Sequence, residues 1–262
     1  MLTDATTVAT PSPVQIAGRR FGLLLQTNLL LYLRNRMAVF WNMVFPIGLM
    51  LLFGTIYGRE PAVITYLATG MVVLSLLSNG LIGNAATMAL WRERGILRRI
   101  QTTPLPLWQL LLARIVTQGA IMILQACLLI GTSVLVFGAQ FEISNLIAAV
   151  PAVVLGALLF MAFGQALAAL VQKVDTVNII GQVIYFPLMF LGNIFLPLQQ
   201  LPDALQTVGK WFPSALIADL VRTTMLGQRT ADMILPLPVT LLGVACYFVA
   251  AVVIAVRFFK WR

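Results

Sequence analysis

Six stretches of this chain run for roughly 20 residues or more without one charged side chain, the length a helix needs to cross a bilayer core of about 30 Å. They lie at 38–57, 64–90, 115–138, 146–171, 176–196 and 236–256. Composition agrees: 60% of the residues are hydrophobic and 10% charged, where a soluble domain carries about 25% charged residues. An open sheet cannot satisfy its backbone in lipid, and the alternation of a barrel is missing, so the stretches are read as helices. The expected fold is an all-α integral membrane protein with six transmembrane helices.

A net charge of +9 could mark a nucleic-acid binder, so its distribution decides. With the N-terminus inside, one set of segments holds Arg19, Arg20, Arg34, Arg36, Arg92, Arg94, Arg98, Arg99, Arg114, Lys173, Arg257, Lys260 and Arg262. The other side holds only Arg59, Lys210, Arg222 and Arg229. That asymmetry follows the positive-inside rule, puts both termini in the cytoplasm and requires an even number of spans. It argues for membrane lipids, and not nucleic acid, as the counterpart of the charge.

Residues 1–14 are polar, rich in Thr and Pro, and lack the basic start and apolar run of a signal peptide, so a disordered tail is expected. The remainder, 15–262, reads as one membrane domain. Within it, 15–36 predicts an amphipathic helix on the cytoplasmic surface: Phe21, Leu25, Leu29 and Tyr32 share one side, and Arg20, Thr27 and Arg34 the other. Leu23, Leu30 and Leu31 fall near the basic side and are expected to pack on neighbouring helices. A cytoplasmic connection dense in arginine occupies 91–114. The segment 197–235 is far longer than most helix–helix connections and predicts short helices folded against the outer face, on one of which Asp219 and Arg222 could pair.

Several chemistries are missing. There is no histidine, and Cys127 and Cys246 lie in apolar runs without disulfide or metal spacing. The six spans as drawn contain no Asp, Glu, Lys or Arg, which argues against proton-coupled carriers and voltage sensors. No phosphate-loop motif occurs, so the chain is not expected to hydrolyse ATP by the usual loop or to bind a cofactor itself. Neutral amides do lie in the spans, among them Asn42, Gln125 and Gln165. They either join helices by hydrogen bonds or line a substrate path, for which Asn79, Asn84, Gln182 and Asn193 are the candidates. A path without fixed charge suits an amphipathic or lipid-like cargo.

In the connection, residues 91–100 read W-R-E-R-G-I-L-R-R-I. Ile96, Leu97 and Ile100 make a narrow apolar stripe that also contains Glu93, whose helical neighbours Ala89, Leu90, Ile96 and Leu97 offer no countercharge. Its partner must be Arg34, Arg36, Arg114, another protein or water. Thr103 before Pro104 reads as the cap of a following helix. The result is a charged helix–turn–helix elbow, suited to docking on a moving partner.

Here the sequence resembles the permeases of type-2 ATP-binding cassette exporters. Their elbow typically reads E-R-G-T-L-x-R-L-x-x-T-P-L-x-x-W-x-x-L-x-G-K. This chain has Glu93-Arg94-Gly95-Ile96-Leu97, Arg99-Ile100, Thr103-Pro104-Leu105, Trp108 and Ala113-Arg114. After the fifth span, Phe195-Leu196-Pro197-Leu198, Leu201-Pro202, Pro213 and Arg222 resemble a second family run, with Leu216 where an aromatic is common.

The resemblance implies a dimer of six-span subunits, formed with a second copy or a related permease in the bacterial inner membrane. Two copies of a separate cassette ATPase would supply ATP and Mg chemistry. Arg92, Glu93, Arg94, Gly95, Arg98 and Arg99 would form the coupling helix, and 15–36 the connecting helix. Spans two and five would line the route, with Phe195, Pro197, Leu201 and Pro202 at an outer gate. An ATP-independent facilitator and a non-transporting scaffold remain alternatives.

Overall fold

The computed structural model describes residues 13–57, 61–101, 107–227 and 233–258, and among these it is helical with no strand. The tail expected at 1–14 lies largely outside the described residues. Helix α1 (Pro13–Arg34) starts two residues earlier than expected, at a proline whose fixed φ suits a first turn. It lies against α7 (Leu107–Phe137), with Phe21, Leu24, Leu25, Asn28 and Tyr32 half-buried. Leu23, Leu30 and Leu31 do not pack on neighbours; they stand 51–55% exposed. A helix at a hydrocarbon boundary can leave such leucines outward, because lipid takes the place of a packing partner.

From Arg36 to Tyr57 the chain is continuously helical, through α2 (Arg36–Val39), a π-helical segment at Phe40–Val44 and α3 (Phe45–Tyr57). Next, α4 (Pro61–Leu77), a second π-helical segment at Ser78–Gly83 and α5 (Asn84–Glu93) form one unbroken rod. At 1.5 Å per residue its 32-residue apolar part, Ala62–Glu93, is about 48 Å long, well beyond a bilayer core. Arg92 and Glu93 therefore end this rod and do not belong to a separate connection.

The short helix α6 (Ile96–Gln101) follows, and then α7, which begins before Arg114 and runs on through the third stretch. Arg114, expected in the connection, is 7% exposed inside that helix. The cap expected at Thr103 lies outside the described residues. Helices α8 (Ile143–Leu170) and α9 (Val174–Phe190) come next, joined by a tight turn at 171–173. A 3-10 turn at Leu198–Gln200, α10 (Asp203–Gly209), α11 (Pro213–Met225) and α12 (Leu237–Phe258) complete the described chain.

Among the described residues, four helical runs are long and apolar enough to cross a membrane: Ala62–Glu93, Leu112–Phe137, Ile143–Leu170 and Leu237–Phe258. Shorter apolar helices, Asn42–Ile56 and Val174–Phe190, occupy the places of the first and fifth stretches. Large apolar side chains face outward, Leu135 at 87% and Val256 at 77% exposure, as a lipid-facing surface requires and a water-facing one avoids. Cys127 and Cys246 lie on this outer surface, unpaired, and are not buried in the bundle.

Helix α8 is the centre of the bundle, packed by α4, α5, α11 and α12. Small residues allow the approach. A Cβ on Gly80 would come 2.5 Å from the Phe160 Cβ, and one on Gly164 would come 2.9 Å from the Leu81 carbonyl oxygen. Ala162, Ala166 and Ala251 make the corresponding seam between α8 and α12. Without a hydrophobic force between helices in lipid, such close backbone contact supplies the packing.

The outer segment differs from expectation in depth. α11 is not laid on a face but sunk between α4, α8 and α12, with every residue from Pro213 to Thr223 buried.

Valine at Gly80 or Gly164 must push two backbones apart, at a cost of about 1–3 kcal/mol. Thermal unfolding in detergent should show both variants melting below wild type, whereas Gly119→Val and Gly131→Val, where a Cβ meets nothing within 4 Å, should not shift.

Candidate functional site

Three polar nodes organise the bundle, and the candidate residues divide among them. At the elbow end, the rod stops because Gly95 adopts φ +66°, a left-handed conformation that glycine takes without steric cost. The Gly95 N–H bonds to the Arg92 carbonyl and the Arg94 N–H to the Leu90 carbonyl, closing the helix end. Leu97 is 4% exposed and anchors α6, which agrees with the apolar stripe. Arg94 and Arg99 remain exposed.

Glu93 finds a partner that i±4 reasoning cannot reach. Its Oε1 accepts the backbone N–H of Val174 at 2.8 Å, at the first turn of α9. The neighbouring Arg92 donates through Nη2 to the Ala168 carbonyl at 2.8 Å and through Nη1 to the Val171 carbonyl at 3.2 Å. A cation thus meets the carbonyl end of α8 and an anion the amide end of α9, the arrangement that helix dipoles favour.

In the bundle interior, the amides join helices. Asn79 Nδ2 donates to Gln125 Oε1 at 2.7 Å and to the Ser75 carbonyl at 3.0 Å. Gln125 in turn donates to the Asn42 carbonyl, so one side chain of α7 ties together both π-helical segments. Asn84 Nδ2 donates to the Met161 carbonyl at 2.9 Å, and its Oδ1 accepts from Arg114 Nη2 at 2.8 Å. The Arg114 guanidinium also lies 4.6 Å from the Trp91 ring centroid. Asn79 and Asn84 are 0% and 1% exposed. Among the four path candidates, Gln182 is the one on the surface.

At the far end, Asn193 has φ +54°, and its Oδ1 accepts from Tyr66 Oη at 2.8 Å and from the Leu198 N–H at 3.3 Å. The Asn193 carbonyl accepts from Arg222 Nη2 at 2.9 Å, while Arg222 Nε donates to Thr69 Oγ1 at 3.2 Å. The Arg222 guanidinium stacks 3.7 Å from the Tyr66 ring centroid. Burial draws the Arg222 guanidinium below the ordinary arginine range, with Tyr66 and Asp219 opposing the shift.

The expected pairing of Asp219 with Arg222 does not form as a direct ion pair. Asp219 turns the other way and accepts the Ile234 N–H at 2.9 Å. A backbone donor entering from the segment before α12 takes its carboxylate, and the Tyr66 face takes the cation. Of the gate candidates, Phe195 stacks on Phe53 with ring centroids 5.5 Å apart, Pro197 and Leu201 are half-buried, and Pro202 is exposed.

This architecture, a helical bundle with an arginine elbow and a buried far-end helix, has relatives. The family model described as "ABC-2 type transporter" matches residues 19–226. The chain belongs to that family. Over 194 residues it is 30% identical to YvfS of Bacillus subtilis (strain 168), named as a candidate transport permease, covering 70% of this chain and 76% of the relative. It is 27% identical over 218 residues to Nodulation protein J of Rhizobium leguminosarum bv. viciae, covering 79% and 78%. Nodulation protein J of Rhizobium meliloti (strain 1021) is 27% identical over 197 residues, 71% of each chain. The ABC-2 match runs from α1 into the end of α11 and so contains all three nodes.

The Tyr66 node separates two effects. Tyr66→Phe removes the hydroxyl bond to Asn193 but keeps the ring under Arg222, and costs about 0.5–1.5 kcal/mol. Tyr66→Leu also removes the ring face, for up to about 2 kcal/mol more at a desolvated site. Melting temperatures should fall in the order wild type, Tyr66→Phe, Tyr66→Leu; equal losses would show that the cation–π contact contributes nothing.

Proposed function

We propose that this ABC-2 permease is the membrane subunit of an ATP-driven exporter. It crosses the bacterial inner membrane six times with both termini in the cytoplasm, and pairs with a second copy or a related permease. Two cassette ATPase subunits supply the ATP chemistry. The charge asymmetry along the chain supports the orientation. The short helices Asn42–Ile56 and Val174–Phe190 are taken as the first and fifth spans, the latter completed by the turn that leads to Leu198.

The observation that carries this reading is the elbow. It is a rigid, basic projection beyond the end of a rod about 48 Å long, set at a fixed angle by Gly95. Arg94, Gly95, Arg98 and Arg99 would meet the ATPase, with Arg92 and Glu93 at the root. Closure of the two ATPases on ATP would press the elbows and shift the bundle between two packed states, opening the route alternately inward and outward.

The cargo in this reading is amphipathic or lipid-like. The α9 face carries exposed Ile179, Val183 and Phe186 around a single exposed amide, Gln182. An apolar wall with one hydrogen-bonding group suits a drug, an antibiotic, a lipid or a lipid-linked glycan better than a small ion. Asn79, Asn84 and Asn193 shape the route from behind it. Phe195, Pro197, Leu201 and Pro202 close its outer mouth, held there by the Arg222 node.

Reversing the elbow's charge tests docking directly. Arg94→Glu with Arg99→Glu should lower the ATPase retained on the purified permease at least about tenfold, because like charges facing each other across an interface cost several kcal/mol. Membrane insertion and permease yield should be unchanged. Retention at the wild-type level would remove the elbow from the interface.

A further inference from the structure

We infer that Arg92 and Glu93 are not ATPase contacts but a clamp that transmits elbow motion to the α8–α9 turn. The inference rests on the exporter reading above and divides the elbow into two functional parts between Glu93 and Arg94.

Two adjacent side chains of opposite charge leave the end of one rod and seize the two ends of a helical hairpin. Arg92 bonds the Ala168 and Val171 carbonyls, and Glu93 bonds the Val174 N–H. The turn they hold, 171–173, is too short to absorb a displacement between its helices. Each bond is charge-assisted and uses a backbone group that a helix terminus otherwise leaves unpaired. Farther along the same rod, Gly80 and Gly164 bring it into backbone contact with α8. The rod is therefore fixed to α8 at two levels, and α9 packs against it both beside the clamp and at the π-helical segment.

Arg94, at the C-terminal end of the rod, and Arg99, beyond the left-handed turn at Gly95, are both exposed. A push on Arg99 reaches the rod through Gly95 and one on Arg94 reaches it directly, and the clamp passes either to the start of α9, the helix whose exposed face carries Gln182. Arg92 and Glu93 are engaged with the backbone of the hairpin, whereas Arg94 and Arg99 are exposed. Docking and transmission are thus separable by mutation.

Two measurements test this. Spin labels replacing Arg94 and Asp175, both exposed, report the distance from elbow to turn in the full-length permease alone, in lipid nanodiscs. The expected result is one narrow distance, which becomes broad or multiple when Arg92→Ala and Glu93→Ala are added. In the unlabelled complex with its ATPase, the same double variant should retain the ATPase and hydrolyse ATP. Its transport per ATP should fall at least about tenfold, the factor for losing even one of the three charge-assisted hydrogen bonds. Glu93→Gln keeps an oxygen for the Val174 N–H and should recover most of the coupling, which a role in ATPase binding by charge would not allow.

A distance that stays narrow in the double variant overturns the clamp. ATPase retention and transport falling together would return these residues to the docking surface. If the unmutated permease holds no ATPase while the labelled pair still responds to the mutations, the exporter reading fails and the clamp survives as a structural tie.

Discussion

In hydrocarbon, a polar group that water cannot reach must find its partner in the protein, and most of this molecule follows from that constraint. The bundle solves it by making side chains serve helix ends and helix interiors. Arg92 and Glu93 satisfy the facing termini of α8 and α9, and Gln125 takes the Asn42 carbonyl beside one π-helical segment and the Asn79 amide in the other. Arg222 is held by a ring face, a hydroxyl and a carbonyl. Between these nodes glycine and alanine set the closest helix approaches, which supply packing that a hydrophobic force between helices cannot supply in lipid.

The nodes also define what can move. Elbow, interior and far end are linked by one rod, from Pro61 to Glu93, whose only irregularity is the π-helical segment Ser78–Gly83. Such segments disturb the regular backbone ladder and are frequent at functional sites. Here the segment is pinned from one side by Gln125 and crossed closely by Gly164 on the other. A bend of the rod at this point would change the relation between the basic elbow and the Tyr66–Arg222 node without unfolding either.

Much of the architecture was legible in the chain because bilayer thickness fixes a length and helices have a fixed rise. The positions of the apolar helices, the basic elbow and the short helices before α12 all follow from run length, charge and proline. What the sequence hid is long-range. Glu93 and Val174 are 81 positions apart, and Arg222 and Thr69 are 153 apart, whereas pattern rules see only neighbours within one helical turn. That limit made Asp219 the expected partner of Arg222 and left Glu93 without one. Likewise, hydropathy treats an arginine as the end of a span and so assigns Arg114 to the cytoplasmic connection, although Asn84 and Trp91 hold it in the bundle interior. The π-helical segments leave no compositional trace, yet they set which faces Asn42 and Asn79 present.

In the proposed mechanism, an ATPase on a separate polypeptide drives this ABC-2 permease through its elbow. The most direct measurement is transport of an amphipathic probe by the purified permease in sealed vesicles, with and without the ATPase and with and without ATP. Movement is expected only when both are present, and none when the ATPase carries a defective phosphate loop. Equal movement by the permease alone, without nucleotide, would contradict it.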